Sequence, residues 1–339
     1  MRPLSILLFS ALLAFGWMDT SRAAPVTKSA QDADLQTLRS FLTATEGQID
    51  LAKAKLTIDH MINPNVDVSD VLRQLDSMAE QVRAQLPVGA TRRARFVILM
   101  SYLYQPGPWN DQRPFSYDLD DPFGKNIRNK LLTTYLSTRK GNCVSMPVLF
   151  VILAQKIGLD ATLSTAPGHL LAKIRDEDGR TINVENTSVG TKTDSSYQQD
   201  MHITAQALTN GIYLQWLGKR ESVAVMMGTL MEFYGRQGQQ ARRMAVADLV
   251  LAAYPKDVTA MLHMGNAYYL LMKQQYLDRY PTLSRIPSEK RQDFEQLSRN
   301  NHLWFAKAEA LGWREPTKAQ DAAYEEMTRH TKATQQGER

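Results

Sequence analysis

The stretch from Cys143 to Ile157 constrains the fold of this chain more than any other. Its residues are apolar on nearly every face at helical spacing, from Cys143-Val-Ser-Met-Pro147 through Val148-Leu-Phe-Val-Ile-Leu-Ala154. A helix that is apolar all round has no solvent face and must be enclosed by other elements. It is too short to cross a bilayer, which takes about 20 apolar residues. Gly158 stands where a left-handed C-terminal cap belongs. A central helix of this kind needs layers around it, and the flanking sequence provides them.

Directly downstream the hydrophobic period changes from helix to strand. Ala161 to Thr165 and Leu170 to Ile174 read as strands. Asp176-Glu-Asp-Gly179 is a hairpin turn, and Thr181 to Glu185 is the next strand. Upstream the pattern is helical. Leu35, Leu38, Phe41, Leu42, Ile49, Leu51 and Ala52 continue one pattern from Asp34 to about Met61, and Asn63-Pro-Asn65 ends it. Asp67 or Ser69 caps a second helix with a stripe of Val71, Leu72, Leu75, Met78, Ala79 and Val82. A third begins near Thr91 and stops before Pro106-Gly-Pro108. Residues 105–121, with Trp109, Phe115 and Tyr117, form an ordered irregular loop, and a helix from about Lys125 to Tyr135 follows. The expected class is therefore α+β: a central Cys-bearing helix packed on a small antiparallel sheet, with helical N- and C-terminal regions.

The N-terminus reads as an address. Arg2, the apolar run Leu4 to Trp17 and Ser21-Arg-Ala23 follow the basic, apolar, small-residue order of a cleavable signal peptide. This places the mature chain, from about Ala24, in the periplasm or otherwise outside the cytoplasm, with no membrane span after cleavage. The organisation is then 1–23 signal, 24–104 helical N-terminal region, 105–199 core, 200–315 helical region and 316–339 polar tail. In the second helical region, Met261, Met264, Gly265 and Tyr268 follow tetratricopeptide spacing, and Asn301, Phe305 and Ala308 echo the second helix of such a unit. The formal charge of +5 is spread among interspersed acids and bases, so nucleic acid is not an expected partner.

Cysteine usage narrows the chemistry. The chain has a single cysteine, Cys143, in a class of protein that commonly uses cysteines in disulfide pairs. A thiol at a helix N-terminus sits in the partial positive charge that favours thiolate. Its backbone N–H there has no intrahelical acceptor and is a natural oxyanion donor, with Asn142 beside it as an auxiliary. A thiol nucleophile also needs a base, and the base needs an orienting group. His169 heads one strand and Glu185 ends the next, so a hairpin centred on Asp178-Gly179 brings them to the same open end. A shift of register would substitute Asn186 or Asn183 for Glu185. Ser145 is the alternative nucleophile, a hydroxyl that would point away one helical step later. Trp109, Tyr117 and Tyr135 line either a cleft or the core. His60, His202, His263, His302 and His330 show no metal-ligand spacing, and no phosphate loop or dinucleotide fingerprint is present, so neither a metal nor a cofactor is expected.

Taken together, Arg139-Lys-Gly-Asn-Cys-Val-Ser-Met-Pro147, Ala166-Pro-Gly-His169 and Ile182-Asn-Val-Glu-Asn-Thr187 resemble the three motif blocks of the transglutaminase-like superfamily. Within it they are similar to the bacterial branch related to SirB1, in which helices follow the core. The resemblance covers about residues 34–240. It implies a transglutaminase-like (papain-like) fold with Cys143 as nucleophile, His169 as general base and acid, and Glu185 as orienting acid. The chain departs from animal transglutaminases in having Val144 rather than an aromatic after the cysteine, and it lacks an acidic calcium cluster. The implied function is acyl transfer on amide bonds, as a peptidase, amidase or transamidase. Its substrate would be a peptide, a protein or a peptidoglycan peptide. The alternative is a catalytically silent member that binds a peptide or protein in its cleft. In either case the helical C-terminal region is a candidate docking site for a protein partner.

Overall fold

The structure of the protein, a computed structural model, describes residues 28–320 together with 322, 323 and 326. The expected signal segment 1–23 and most of the polar tail lie outside these residues. Four helices open the described chain: α1 (Lys28–Thr43), α2 (Leu51–Ile62), α3 (Val68–Arg83) and α4 (Arg92–Tyr104). The single pattern expected from Asp34 to Met61 is two helices. A 3-10 turn at Glu46–Gln48 separates them, and Asp50 caps α2 by accepting the Lys53 N–H. Asp67 and Thr91 cap α3 and α4 in the same way, through the N–H groups of Asp70 and Ala94.

A loop leads to the short strand β1 (Ser116–Tyr117). It is followed by α5 (Leu132–Thr138), the short strand β2 (Lys140–Gly141) and α6 (Ser145–Lys156). β1 pairs with β2 in parallel, which pins the loop beside the segment leading to Cys143. The helix expected from Lys125 to Tyr135 is instead a 3-10 turn, Ile127–Lys130, then α5, with Leu131 extended between them. Buried side chains of α2 take the hydrogen-bonding groups that a continuous helix would need there. Asp59 accepts the Leu132 N–H at 2.7 Å, and Lys55 donates to the Lys130 carbonyl at 2.8 Å.

α6 is the enclosed helix. Every residue from Met146 to Ala154 is buried, and the helix packs on α3, α4, α5 and two strands of the sheet. The sheet is antiparallel in the order β3 (Ala161–Ala166), β4 (His169–Arg175), β5 (Thr181–Glu185) and β6 (Gly190–Lys192). Alternation along β4 sends Leu170, Ala172 and Ile174 into the cluster that contains α6. Leu171 faces the opposite cluster, with Tyr197, Ile203 and Ala207.

The remainder is helical: α7 (Asp194–Asp200), α8 (Ala205–Thr209), α9 (Lys219–Met226), α10 (Gly228–Arg236), α11 (Gln240–Ala253), α12 (Val258–Met272) and α13 (Ser288–Ala310). α12 and α13 form a helical hairpin in which Gly265 faces Phe305, and Asn301 Nδ2 donates to the Gly265 carbonyl at 2.8 Å. Buried apolar side chains from Leu38 to Met264 form one continuous cluster, so the N-terminal helices, the α6 layer and helices α9 to α12 share a core. No helix among the described residues is long and apolar enough to cross a membrane.

Candidate active site

The site is built where the N-terminus of α6 meets one end of the sheet. Cys143 lies in the turn two residues before the first residue of α6, rather than on the helix itself. The turn is closed by Asn142. Its Oδ1 accepts the N–H groups of Val144 at 3.0 Å and Ser145 at 3.3 Å, and its carbonyl accepts the Met146 N–H. Pro147 fits this first turn because an N–H there has no intrahelical acceptor. The Cys143 N–H donates to no acceptor among the described residues. Asn142 Nδ2 is also buried without a hydrogen-bond partner among them, beside Gly124. Ser145, the alternative nucleophile, is fully buried and its hydroxyl is committed elsewhere. Its Oγ donates to the Asn129 carbonyl at 2.8 Å and accepts the Asn142 N–H at 3.1 Å.

His169 reaches the thiol from a two-residue hairpin. Ala166 pairs with His169 across Pro167-Gly168, and Gly168 has φ +63°, a conformation that glycine adopts without strain. The pairing of Ala172 with Val184 sets Glu185 diagonally across from His169, and the two side chains meet. His169 Nε2 is 2.9 Å from Glu185 Oε2. With Nε2 engaged, Nδ1 is the ring nitrogen left for the sulfur, and His169 stands close enough to the Cys143 thiol to stabilise its thiolate form. The Leu170 N–H also favours the thiolate, and it is left free for that because the β4–β5 pairing stops short of that residue. Cys143 is partly exposed, and the His169 and Glu185 side chains are about one-tenth exposed, so the group has a narrow opening to solvent.

Electrostatics favour an ion pair. Burial raises the Cys143 pKa, but the hydrogen bond and charge of His169, the Lys130 ammonium and the Leu170 N–H together bring it below that of an ordinary thiol. Burial works against a charged His169 too. Its bonds to Cys143 and Glu185 and their negative charges override that and push its pKa up to about 10. Glu185 is penalised by burial yet held down to about 2 by His169, Thr187 and Tyr197. The arrangement is thus suited to a thiolate beside an imidazolium, with a carboxylate behind it.

The two asparagines that a register shift would have introduced lie elsewhere. Asn186 points away and donates to the Tyr104 hydroxyl at 3.0 Å. Asn183 is bonded to the Lys192 carbonyl and to Asp194. Tyr135 is a fully buried core residue, while Trp109 and Tyr117 are partly buried against the same core. Three further contributors were given no role by the sequence, although Thr187 ends one of the motif blocks. The Tyr197 hydroxyl donates to Glu185 Oε2 at 2.5 Å, the Thr187 hydroxyl and N–H donate to Oε1, and Lys130 places its charge near the sulfur. Tyr197 is identifiable only once α7 is seen to bring its side chain to Glu185 at the end of β5. Among the described residues, no group of three or more histidines, cysteines or acids is placed to hold a metal ion.

Comparison with known proteins agrees with this fold. Residues 69–227 match the family model described as the transglutaminase-like superfamily, and this stretch is a transglutaminase-like domain. Human F-box only protein 21 is 23% identical over 265 residues, which make up 71% of this chain and 42% of that protein. The chain therefore spans less than half of that relative's length. A UPF0162 protein of Xylella fastidiosa is 20% identical over 261 residues, covering 73% of this chain and 90% of that protein. No solved structure matches the chain.

Proposed function

We propose that the protein is a thiol acyl-transfer enzyme acting on amide bonds, with Cys143 as nucleophile, His169 as general base and acid, and Glu185 as the orienting acid. The observation that carries the proposal is the position of His169, whose Nε2 is held by Glu185 Oε2 at 2.9 Å while its ring stands beside the Cys143 thiol and favours the thiolate form. In the reaction, the thiolate attacks the amide carbonyl carbon and the C=O π electrons move to oxygen. The Cys143 N–H, which has no acceptor among the described residues, is available as an oxyanion donor beside the attacking sulfur. Collapse of the intermediate breaks the C–N bond, and the imidazolium gives its proton to the departing amine. A thioester remains. Water, deprotonated by neutral His169, then attacks the thioester, releasing the acid and restoring thiolate and imidazolium. An amine in place of water makes the same chemistry a transamidation.

Peptides, proteins and peptidoglycan peptides are the substrate classes we assign, together with an exported location that rests on the signal-like sequence up to Ala23. Within the superfamily we assign the chain to the SirB1-related branch, on the strength of the helices that follow the core. We read the α12–α13 hairpin as one tetratricopeptide-like unit that docks a protein partner, supported by the Gly265–Phe305 contact.

The test is the pH dependence of iodoacetamide alkylation at Cys143, comparing wild type with His169→Ala. Rapid labelling that persists below about pH 7 and is lost in the variant is expected of a histidine-activated thiolate. Slow labelling that is indifferent to His169 would leave the domain as a silent peptide-binding module.

A further inference from the structure

The Glu185 carboxylate receives more donors than orienting a histidine requires. Oε1 accepts the Thr187 hydroxyl at 2.6 Å and the Thr187 N–H at 3.1 Å. Oε2 accepts His169 Nε2 at 2.9 Å and the Tyr197 hydroxyl at 2.5 Å. These four donors differ in what they can fix. Thr187 is two residues along the same chain, so it sets the carboxylate only relative to its own strand end. His169 is the group to be positioned and cannot serve as its own reference. Tyr197 alone comes from an independent element, α7, whose start is fixed by Thr193 accepting the Ser196 N–H. Its side chain is almost wholly buried in the cluster with Ala166, Leu171 and Ile203, and its ring centroid lies 6.1 Å from that of His169.

We infer that Tyr197 is a positioning residue of the thiol site: its hydroxyl, sharing Glu185 Oε2 with His169, fixes the carboxylate and through it the imidazole against Cys143. The inference rests on the proposed role of Cys143 as nucleophile. Geometry limits the alternatives. A phenol acting on the reaction directly would have to face the sulfur, but this one faces the carboxylate, on the far side of the imidazole. Other charges around it are accounted for. Lys192 Nζ lies 4.7 Å from the centre of the Tyr197 ring and pairs with Asp200. Asp194 pairs with Lys173 and accepts from Asn183. Burial, then the neighbouring Glu185 charge, raise the phenol pKa, so the hydroxyl is a permanent donor over the working range of the site.

The experiment measures the alkylation rate of Cys143 against pH in four forms of the full chain: wild type, His169→Ala, Tyr197→Phe and Tyr197→Leu. Circular dichroism serves as the control for folding. Tyr197→Phe keeps the ring and removes only the hydroxyl. A positioning role moves its thiolate inflection up by about one pH unit, which slows labelling roughly tenfold below the inflection. Tyr197→Leu then adds little further shift. A packing role predicts the opposite pattern, with Tyr197→Phe superimposing on wild type and Tyr197→Leu departing. That result would overturn the inference while leaving the thiol reading intact, provided wild type still depends on His169. A wild-type profile indifferent to His169 overturns both.

Discussion

The Nζ of Lys55 and the Oδ1 of Asp59 lie 2.6 Å apart, one turn from each other on α2, and neither side chain is exposed to solvent. Each also holds the backbone that enters α5: Lys55 donates to the Lys130 carbonyl, and Asp59 accepts the Leu132 N–H. This segment carries two parts of the site. Asn129, whose carbonyl accepts the Ser145 hydroxyl, precedes it, and Lys130 lies within it. The N-terminal helices therefore do more than cover α6; they fix the floor on which the Cys143 turn rests.

Removing one member of that pair should be costly. Asp59→Ala leaves the Lys55 ammonium buried without its counterion and the Leu132 N–H without an acceptor. Loss of a buried partner of this kind costs about 3–5 kcal/mol. Urea unfolding should show that loss, and Lys55→Met combined with Asp59→Leu should recover part of it. A loss below about 1 kcal/mol, the range of an exposed pair, would mean that the charges reach water.

The site should also shape the pH dependence of stability. Glu185 is held at about 2, below its ordinary 4.5, so its contribution is complete above 4.5 and is lost as pH falls toward 2. His169 is raised from 6.5 to about 10, so its contribution is complete below 6.5 and is lost as pH rises toward 10. Both contributions are whole between about pH 4.5 and 6.5. Thermal unfolding of wild type beside Glu185→Gln should differ most in that window. The difference should shrink as the buffer is taken from pH 4.5 toward 2. A difference that stays constant through the acid range would show that the Glu185 carboxylate is not preferentially ionised in the folded protein.

The helical hairpin permits a test that separates folding from chemistry. A Cβ on Gly265 would stand 2.7 Å from the Phe305 ring, so Gly265→Ala forces α12 and α13 apart. Overpacking of this kind costs about 1–3 kcal/mol. The melting temperature should fall, while the pH profile of Cys143 alkylation at 25 °C stays where it was. A shifted profile would mean that the hairpin is mechanically coupled to the thiol.

What the sequence reveals follows from how local each signal is. α6 was legible because enclosure leaves no polar face. The β4–β5 hairpin was legible because alternation and the Asp176–Gly179 turn together limit the register. The hairpin by itself brings His169 and Glu185 to one end of the sheet, and the place of Cys143 beside them is what the resemblance to transglutaminase-like motif blocks implies. The break at Leu131 was not legible, because its cause lies in Asp59, 73 residues before the Leu132 N–H that it accepts. Lys55 and Asp59 themselves have the one-turn spacing of an ordinary surface ion pair, and only tertiary packing buries them. Tyr197 was hidden for the same reason. Its partner is Glu185, 12 residues earlier, and nothing in Asp194–Asp200 indicates that this short helix closes over β5.

Gly141 is the position where local space and the proposed chemistry meet most directly. A Cβ there would stand 2.5 Å from the Tyr135 ring and 2.7 Å from Ser145 Oγ. Tyr135 is enclosed in the core and cannot swing away. Ser145 Oγ is held by the Asn129 carbonyl and the Asn142 N–H. The strain of Gly141→Ala must therefore be relieved by the backbone, and the adjacent backbone is the Asn142–Cys143 turn. Overpacking by one methyl should cost about 1–3 kcal/mol of stability. A displaced turn moves the sulfur away from His169, so alkylation near pH 6 should fall on the order of tenfold, while labelling near pH 9.5, where an ordinary thiol is ionised, changes little. Equal slowing at both pH values would mean that the methyl blocks access to the sulfur rather than parting it from the imidazole. Comparing the two rates therefore tests whether Gly141 is needed to hold the thiol against its base.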